Sequence, residues 1–426
     1  MKLLDFQQKL LDERYQDTMA LFMDMGTGKT YMGAGAFERS GCSKLLIICL
    51  VSKIDDWAEL LGDDMGHNVM KLNRGGRKNK EALQSNANVM VVSFESAWRL
   101  GGLLEWVDDD TYIIVDESHK FKSSTSKIGK FMLKLGKQTK HKAILTGTPQ
   151  SKGYIDYYTQ LTFLDALGGA SLKAFKDRYC VIQERWYGGR FPISEIVGYK
   201  NTDELDEIIG RKAIFYQRVG GEVPIESVVK FKVGRYYKKL KTERVYEKRD
   251  GSMKLYDSKG ALYTGLRMGA TGIVDGDVLN EDRLAWVRDF VEGYDKRVVI
   301  FYNFNQERDA LMEALKDYPV SEYSGRVKNL ERFLEDERGV VLANYGSAST
   351  GINELVVANM VIMYSLPSNF IDFAQAKKRI DRIGQKHVPM YYYLMAEGTV
   401  EMAVYNSLVK GQDFDDNLFD KYLEKI

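Results

Sequence analysis

Residues Met25-Gly26-Thr27-Gly28-Lys29-Thr30 follow an apolar stretch, 19–23, and precede a segment, 31–39, that reads as a helix. Glycines let backbone N–H groups close around phosphate oxygens, a lysine reaches the terminal phosphates, and a threonine hydroxyl can ligate Mg²⁺. The complete phosphate-loop pattern asks for glycine at position 23, where this chain has Met23. By itself the loop therefore also reads as a glycine turn before a helix. Context comes from Asp116 and Glu117, adjacent carboxylates ending the apolar run 112–115 and followed by Ser118 and His119. At the edge of an α/β sheet Asp116 can hold Mg²⁺ while Glu117 polarises an attacking water. Taken alone, this pair is equally a solvated acidic turn.

Two further pieces bear on the same chemistry. Leu145-Thr146-Gly147-Thr148-Pro149 comes directly after another apolar run, and in isolation it is an ordinary Gly/Pro turn. Far downstream, Gln375, Arg379 and Arg382 are spaced four and three apart. The spacing predicts a helix that carries all three on one face. Two guanidiniums on one face suit a polyphosphate, and an arginine delivered across a domain cleft to a γ-phosphate supplies about 10³–10⁵ in rate. A solvated basic helix face is the plainer reading of that segment. It yields because the phosphate loop, the acid pair and the threonine loop precede it in order.

These groups need a rigid scaffold. Short apolar, β-branched runs recur at 45–51, 89–93, 112–115 and 143–145, and again at 298–302, 340–343, 360–364 and 390–395. Runs buried on both faces and separated by helices are how parallel sheets read. Between the two sets, residues 168–276 are glycine-punctuated, tyrosine-rich and basic, with scattered apolar runs such as 225–233. The expectation is an α/β chain with an N-terminal lobe at 1–167, a basic, partly helical connector at 168–276 and a C-terminal lobe at 277–426.

Composition removes several classes. With 426 residues, 44% hydrophobic and 28% charged, and 61 Lys+Arg against 60 Asp+Glu, the chain is long enough to bury two or three cores and is neither disordered nor collagenous. Three cysteines, Cys42, Cys49 and Cys180, form no CxxC pair and support neither a disulfide framework nor a cysteine zinc site. His67, His119, His141 and His387 have no metal-ligand spacing, so His119 is expected to link the carboxylates to Thr146 or Thr148. Without a secretory core or a long uncharged apolar run, the expectation is a cytoplasmic protein with no membrane partner.

In order and content these motifs resemble superfamily-two helicases, and within them the SWI/SNF-like DNA translocases. The resemblance runs over most of the chain: residues 3–7 as a glutamine motif, the MGTGKT loop, 51–57, 91–95, DESH, LTGTP, then 299–304 and 345–353. It ends with Gln375-Ala376, Arg379, Arg382-Ile383-Gly384-Gln385 and Gly398-Thr399-Val400-Glu401, the most specific signature. It implies two RecA-like lobes, ATP and Mg²⁺ as cofactors, and a DNA-dependent ATPase. Gln7 would read adenine, Gly26, Thr27, Gly28, Lys29 and Thr30 would hold phosphates, and Thr30 and Asp116 would hold Mg²⁺. Glu117 would be the catalytic base, with Arg379 and Arg382 as γ-phosphate sensors and Arg382 as the finger. Gly351 and its neighbours, with Gln375, would touch nucleotide or the tracked strand, and Thr146 and Thr148 would couple the site to DNA. Ser118 stands where the family usually carries Ala or Gly, and Lys378 where Asp is common. The short connector and the lack of room for histone-reading extensions match a compact bacterial or phage translocase.

Charge locates the expected partner. Between Ser118 and Lys142 there are eight lysines and no acid, and between Glu226 and Arg267 twelve Lys/Arg face five acids. Such segments suit sequence-independent, salt-dependent binding of duplex DNA, although each could be a solvated helix face. Tyr236, Tyr237, Tyr246 and Tyr256 in the second segment are expected in a small core, and Trp57, Trp98 and Trp106 in packing. Two other readings stand beside translocation: a strand-separating or RNA-directed helicase, and a non-catalytic nucleic-acid scaffold.

Overall fold

The computed structural model describes residues 2–24, 26–72, 76–151, 153–186, 193–217, 223–248, 250–348, 352–382 and 384–424. Met25, Ser349, Thr350, Gly351 and Ile383, which belong to the motifs above, lie outside the described residues. The chain divides into two compact units, Met1–Val219 and Gly220–Ile426.

The first unit is built on a seven-stranded, all-parallel sheet in the order Val69–Lys71, Val89–Ser93, Lys44–Cys49, Thr111–Asp116, Lys142–Thr146, Thr18–Met23, Ala213–Tyr216. Successive strand residues point to opposite faces. Met19, Leu21, Leu45, Ile47, Val91 and Ile114 enter one core with the helix Lys29–Ser40. Ala20, Phe22, Leu46, Ile48, Val92 and Ile113 enter another, under the helices Lys127–Leu135 and Tyr157–Phe163. Both faces are covered, which is why the central strands read as unbroken apolar runs.

The second unit repeats the design with six parallel strands in the order Ile225–Phe231, Met390–Ala396, Met360–Met363, Val298–Tyr302, Val340–Asn344, Val320–Tyr323. Val299, Phe301, Val341 and Val361 face the helices Lys259–Thr271 and Val400–Leu408, while Val298, Ile300, Leu342 and Ile362 face Asp282–Glu292 and Asn305–Ala314. A buried bidentate ion pair, Arg283 to Glu401 at 3.0 and 2.8 Å, joins the helix Asp282–Glu292 to the Gly398–Glu401 motif.

Three expectations change. The 168–276 segment is not a body of its own: Ala213–Tyr216 extends the first sheet beside Thr18–Met23, and Ile225–Phe231 extends the second beside Met390–Ala396. Backbone pairing assigns each half of the segment to the neighbouring unit. Next, the helix Phe370–Lys377 stops before Arg379, so Gln375, Arg379 and Arg382 do not share one helical face. Residues 378–380 form a turn instead, and the Gln385 side chain donates to the carbonyls of Val356, Ala358 and Ile380. Finally, Lys142 is buried and paired with Asp165 at 2.5 Å, which removes it from any surface patch. The tyrosines behave as expected: Tyr237, Tyr246 and Tyr256 are buried in the second unit's core. Among the described residues no helix is long and apolar enough to cross a membrane.

Candidate nucleotide site

Parallel strands bring their carboxyl ends to one sheet edge, and in the first unit the glycine loop, Asp116-Glu117 and Thr146–Pro149 all leave from that edge. The loop bends at Gly26 and Gly28, both left-handed with φ of 75° and 78°, and Gly28 delivers the chain into the helix Lys29–Ser40. That helix aims the backbone N–H groups and partial positive charge of its first turn at the loop. Lys29 Nζ spans the mouth, donating to the carbonyls of Met23 at 2.8 Å and Asp24 at 3.0 Å. Thr30 sits beside it in the same turn.

Gln7 is buried against this loop. Its amide nitrogen donates to Thr27 O at 2.8 Å and Gly28 O at 3.4 Å, and its oxygen accepts from Leu4 N at 2.9 Å. The side chain expected to read adenine therefore also braces the phosphate loop. A Cβ at Gly28 would meet Gln7 Nε2 at 2.3 Å. Gly28→Ala combines that clash with a left-handed φ that costs about 1–2 kcal/mol. Roughly tenfold weaker ATP binding is expected in a nucleotide titration, with a small change in melting temperature; unchanged affinity would mean that the loop does not hold the nucleotide.

Asp116 is 7% exposed, and both its oxygens are engaged: Oδ2 accepts from Trp57 Nε1 at 3.1 Å and Oδ1 from Glu117 N at 3.0 Å. Burial first, and the charge of Glu117 second, push its pKa above the ordinary carboxylate range; the Trp57 hydrogen bond and Lys29 pull it back. Glu117 adopts φ 56°, a left-handed backbone that is uncommon outside glycine, turning the chain out of the strand. Its Oε2 lies 3.3 Å from His119 Nδ1, which is 3.1 Å from Thr146 Oγ1, and Thr148 N donates to that hydroxyl at 3.1 Å. His119 is thus the link anticipated between the acid pair and the threonine loop.

Two partners were not legible in advance. Trp57 packs as expected, fully buried, yet it also orients Asp116. Gln160, also fully buried, accepts from Ser118 Oγ at 2.7 Å and donates to Pro149 O at 2.8 Å, a second tie between the acid turn and the threonine loop. No spacing rule could have found either, because both lie on other elements.

Magnesium normally uses one or two carboxylates and completes its shell with water and substrate phosphates. Among the described residues no cluster of three or more His, Cys, Asp or Glu could hold a metal. A buried Asp116 next to the part-exposed Glu117, close enough to Lys29 of the phosphate loop to feel its charge, fits the first pattern, with Asp116 and Thr30 as the protein's ligands. Trp57→Phe should weaken Mg²⁺-dependent nucleotide binding by about threefold to tenfold, the scale of one ordinary hydrogen bond. Fluorescent-nucleotide titrations with Mg²⁺ and with chelator check this; an equal loss in both would contradict it.

In the second unit Arg379 is 5% exposed and reaches Ile352 O at 3.5 Å, while Arg382 Nη1 donates to Asn353 Oδ1 at 2.7 Å. Both guanidiniums therefore gather on the 352–353 segment despite the broken helix. Gln375 is buried nearby in sequence, on Phe370–Lys377. Burial lowers the pKa of Arg382, and Glu354 opposes that. Lys378, one of the departures noted above, pairs with Asp381 at 2.9 Å.

Comparison with known proteins follows from this motif order. A model of the SNF2-related domain matches residues 9–205, and a model of the helicase conserved C-terminal domain matches residues 282–384. The chain belongs to the SNF2-like family of superfamily-two helicases. Among similar SNF2-like proteins is the SWI/SNF-related matrix-associated actin-dependent regulator of chromatin subfamily A-like protein 1 of Drosophila melanogaster, 23% identical over 92% of this chain and 52% of that protein. Human DNA excision repair protein ERCC-6 is 24% identical over 69% of this chain and 22% of its own length. The chain spans about half, or less, of the length of these SNF2-like relatives. The Sulfolobus solfataricus SWI2/SNF2 ATPase core in complex with dsDNA is 20% identical, with a TM-score of 0.46 over 100% of this chain and 93% of that one.

Proposed function

We propose that this protein is a Mg²⁺-ATP-dependent DNA translocase. The observation that carries the reading is the line of close contacts from Glu117 Oε2 to His119 Nδ1 and from that nitrogen to Thr146 Oγ1, set beside Lys29 and Asp116 on one sheet edge. Lys29 and the loop N–H groups bind the phosphates, and Asp116 and Thr30 hold the cation. Bound Mg²⁺ would supply charge neutralisation on the β- and γ-phosphates. Glu117 orients a water and accepts its proton as the water oxygen bonds to the γ-phosphorus and the bond to ADP breaks. Arg379 and Arg382 stabilise the charge that develops on the transferred phosphoryl group. Turnover then reads as a change at the threonine loop, through His119 and through Ser118–Gln160.

The names of the relatives associate them with chromatin and DNA excision repair, and duplex DNA is the partner we assign by that kinship and by the lysine-rich surface. A triplex-displacement assay tests the motor directly. ATP-dependent release of a third strand from duplex DNA, without unwinding of a forked substrate, is the expected result. Fork unwinding would favour a strand-separating helicase, and ATP turnover stimulated by RNA alone would overturn the DNA assignment.

A further inference from the structure

The helix Lys127–Leu135 buries Met132 and Leu135 in the first unit's core and turns Lys127, Lys130 and Lys134 outward. Spacings of three and four place these lysines on one face, where like charges repel by about 0.2–0.5 kcal/mol per pair. Lys127 also stands in the first turn, which carries no acidic residue, on the unfavourable side of the helix dipole. Stability gives no reason for this pattern. Several other lysines of the unit are paired: Lys44 with Asp108, Lys53 with Asp56, Lys71 with Asp55, Lys142 with Asp165. The three on this helix make no ion pair among the described residues.

A second segment completes the surface. Trp98, half-buried rather than enclosed, has the Arg99 guanidinium 4.8 Å and the Lys127 ammonium 5.2 Å from its ring centroid. The indole face holds two cations from distant parts of the chain side by side. Four cations with no acidic partner among the described residues, fixed on a helix and an aromatic post, match a regularly spaced polyanion better than a small ligand or an acidic loop.

We infer that Lys127, Lys130 and Lys134, with Arg99 held against Trp98, form a docking surface for the phosphate backbone of duplex nucleic acid, separate from the nucleotide motifs. The inference rests on the DNA partner proposed above and assigns where the first unit grips it. Contacts of this kind are blind to base sequence and release counterions, so log K falls with log salt by about 0.9 for each phosphate neutralised.

The test measures fluorescence-anisotropy affinity for a labelled random-sequence duplex across a salt series. Three proteins are compared: the unaltered chain, Lys127→Gln/Lys130→Gln/Lys134→Gln, and the charge-matched control Lys9→Gln/Lys71→Gln/Lys316→Gln, whose lysines are all acid-paired. The helix variant is expected to bind at least about tenfold more weakly at 0.1 M salt, with a slope shallower by about 2–3 and an unchanged melting temperature. The control should keep a slope close to that of the unaltered chain. Equal slopes for the two variants would overturn this surface while leaving DNA binding intact, and an acidic protein partner would then suit the helix better. No salt-dependent binding by the unaltered chain would overturn both the surface and the proposed function.

Discussion

Glu117→Gln is expected to lower steady-state phosphate release by about 10²–10⁴-fold, the contribution of a positioned general base, while ATP binding is retained. Glutamine has the same shape, keeps an oxygen near His119 Nδ1, 3.3 Å away in the native chain, and leaves the backbone turn at φ 56° in place. What it loses is the ability to take a proton. It also removes the negative charge that helps push the Asp116 pKa up, so the neighbouring carboxylate is ionised more easily and cation binding is not impaired. Equilibrium binding of a fluorescent ATP analogue, set beside single-turnover hydrolysis, separates the two effects. Loss of binding with hydrolysis in proportion would mean that Glu117 holds the loop rather than the water.

Arg382→Ala is expected to reduce turnover by about 10³–10⁵-fold, the range for an arginine acting on a γ-phosphoryl group, with a smaller loss of ATP affinity than Lys29→Ala. The physical ground is desolvation. Arg382 lies where burial disfavours its charge, with Glu354 as the opposing influence and the Asn353 side chain as a neutral partner. A phosphate oxygen arriving there would supply an anionic acceptor, in a fork geometry that lysine does not reproduce. Arg382→Lys should therefore recover little. If the residue merely ties the turn to Asn353, Arg382→Ala will lower the melting temperature while kcat stays near the native value.

The central strands were readable because both faces of each sheet are covered, leaving runs such as Val298–Tyr302 and Val89–Ser93 without polar interruption. Edge strands lack that signature. Ala213–Tyr216 and Ile225–Phe231 are short or half-exposed, and their place is decided by pairing with residues some 190 and 165 positions away, in Thr18–Met23 and Met390–Ala396. The acid pair, the phosphate loop and the His119 link were legible because each follows a buried strand and must emerge at the same edge. The spacing of Gln375, Arg379 and Arg382 misled because a 4–3 interval describes a helix and a hydrogen-bonded turn equally well. The chain takes the turn, at 378–380, and Gln385 donates to three carbonyls. Lys142 misled for a related reason: a charge in a basic run looks solvated until the carbonyl of Gly136 and the carboxylate of Asp165 close around it. Trp57 and Gln160 act through contacts across elements, which local spacing does not encode.

Steady-state phosphate release measured with and without duplex DNA, at low and at physiological salt, tests the account most directly. It predicts Mg²⁺-dependent ATP turnover that duplex DNA stimulates, with the DNA concentration for half-stimulation rising steeply as salt is added. Turnover at the same rate with and without DNA, or no turnover in either, would contradict it.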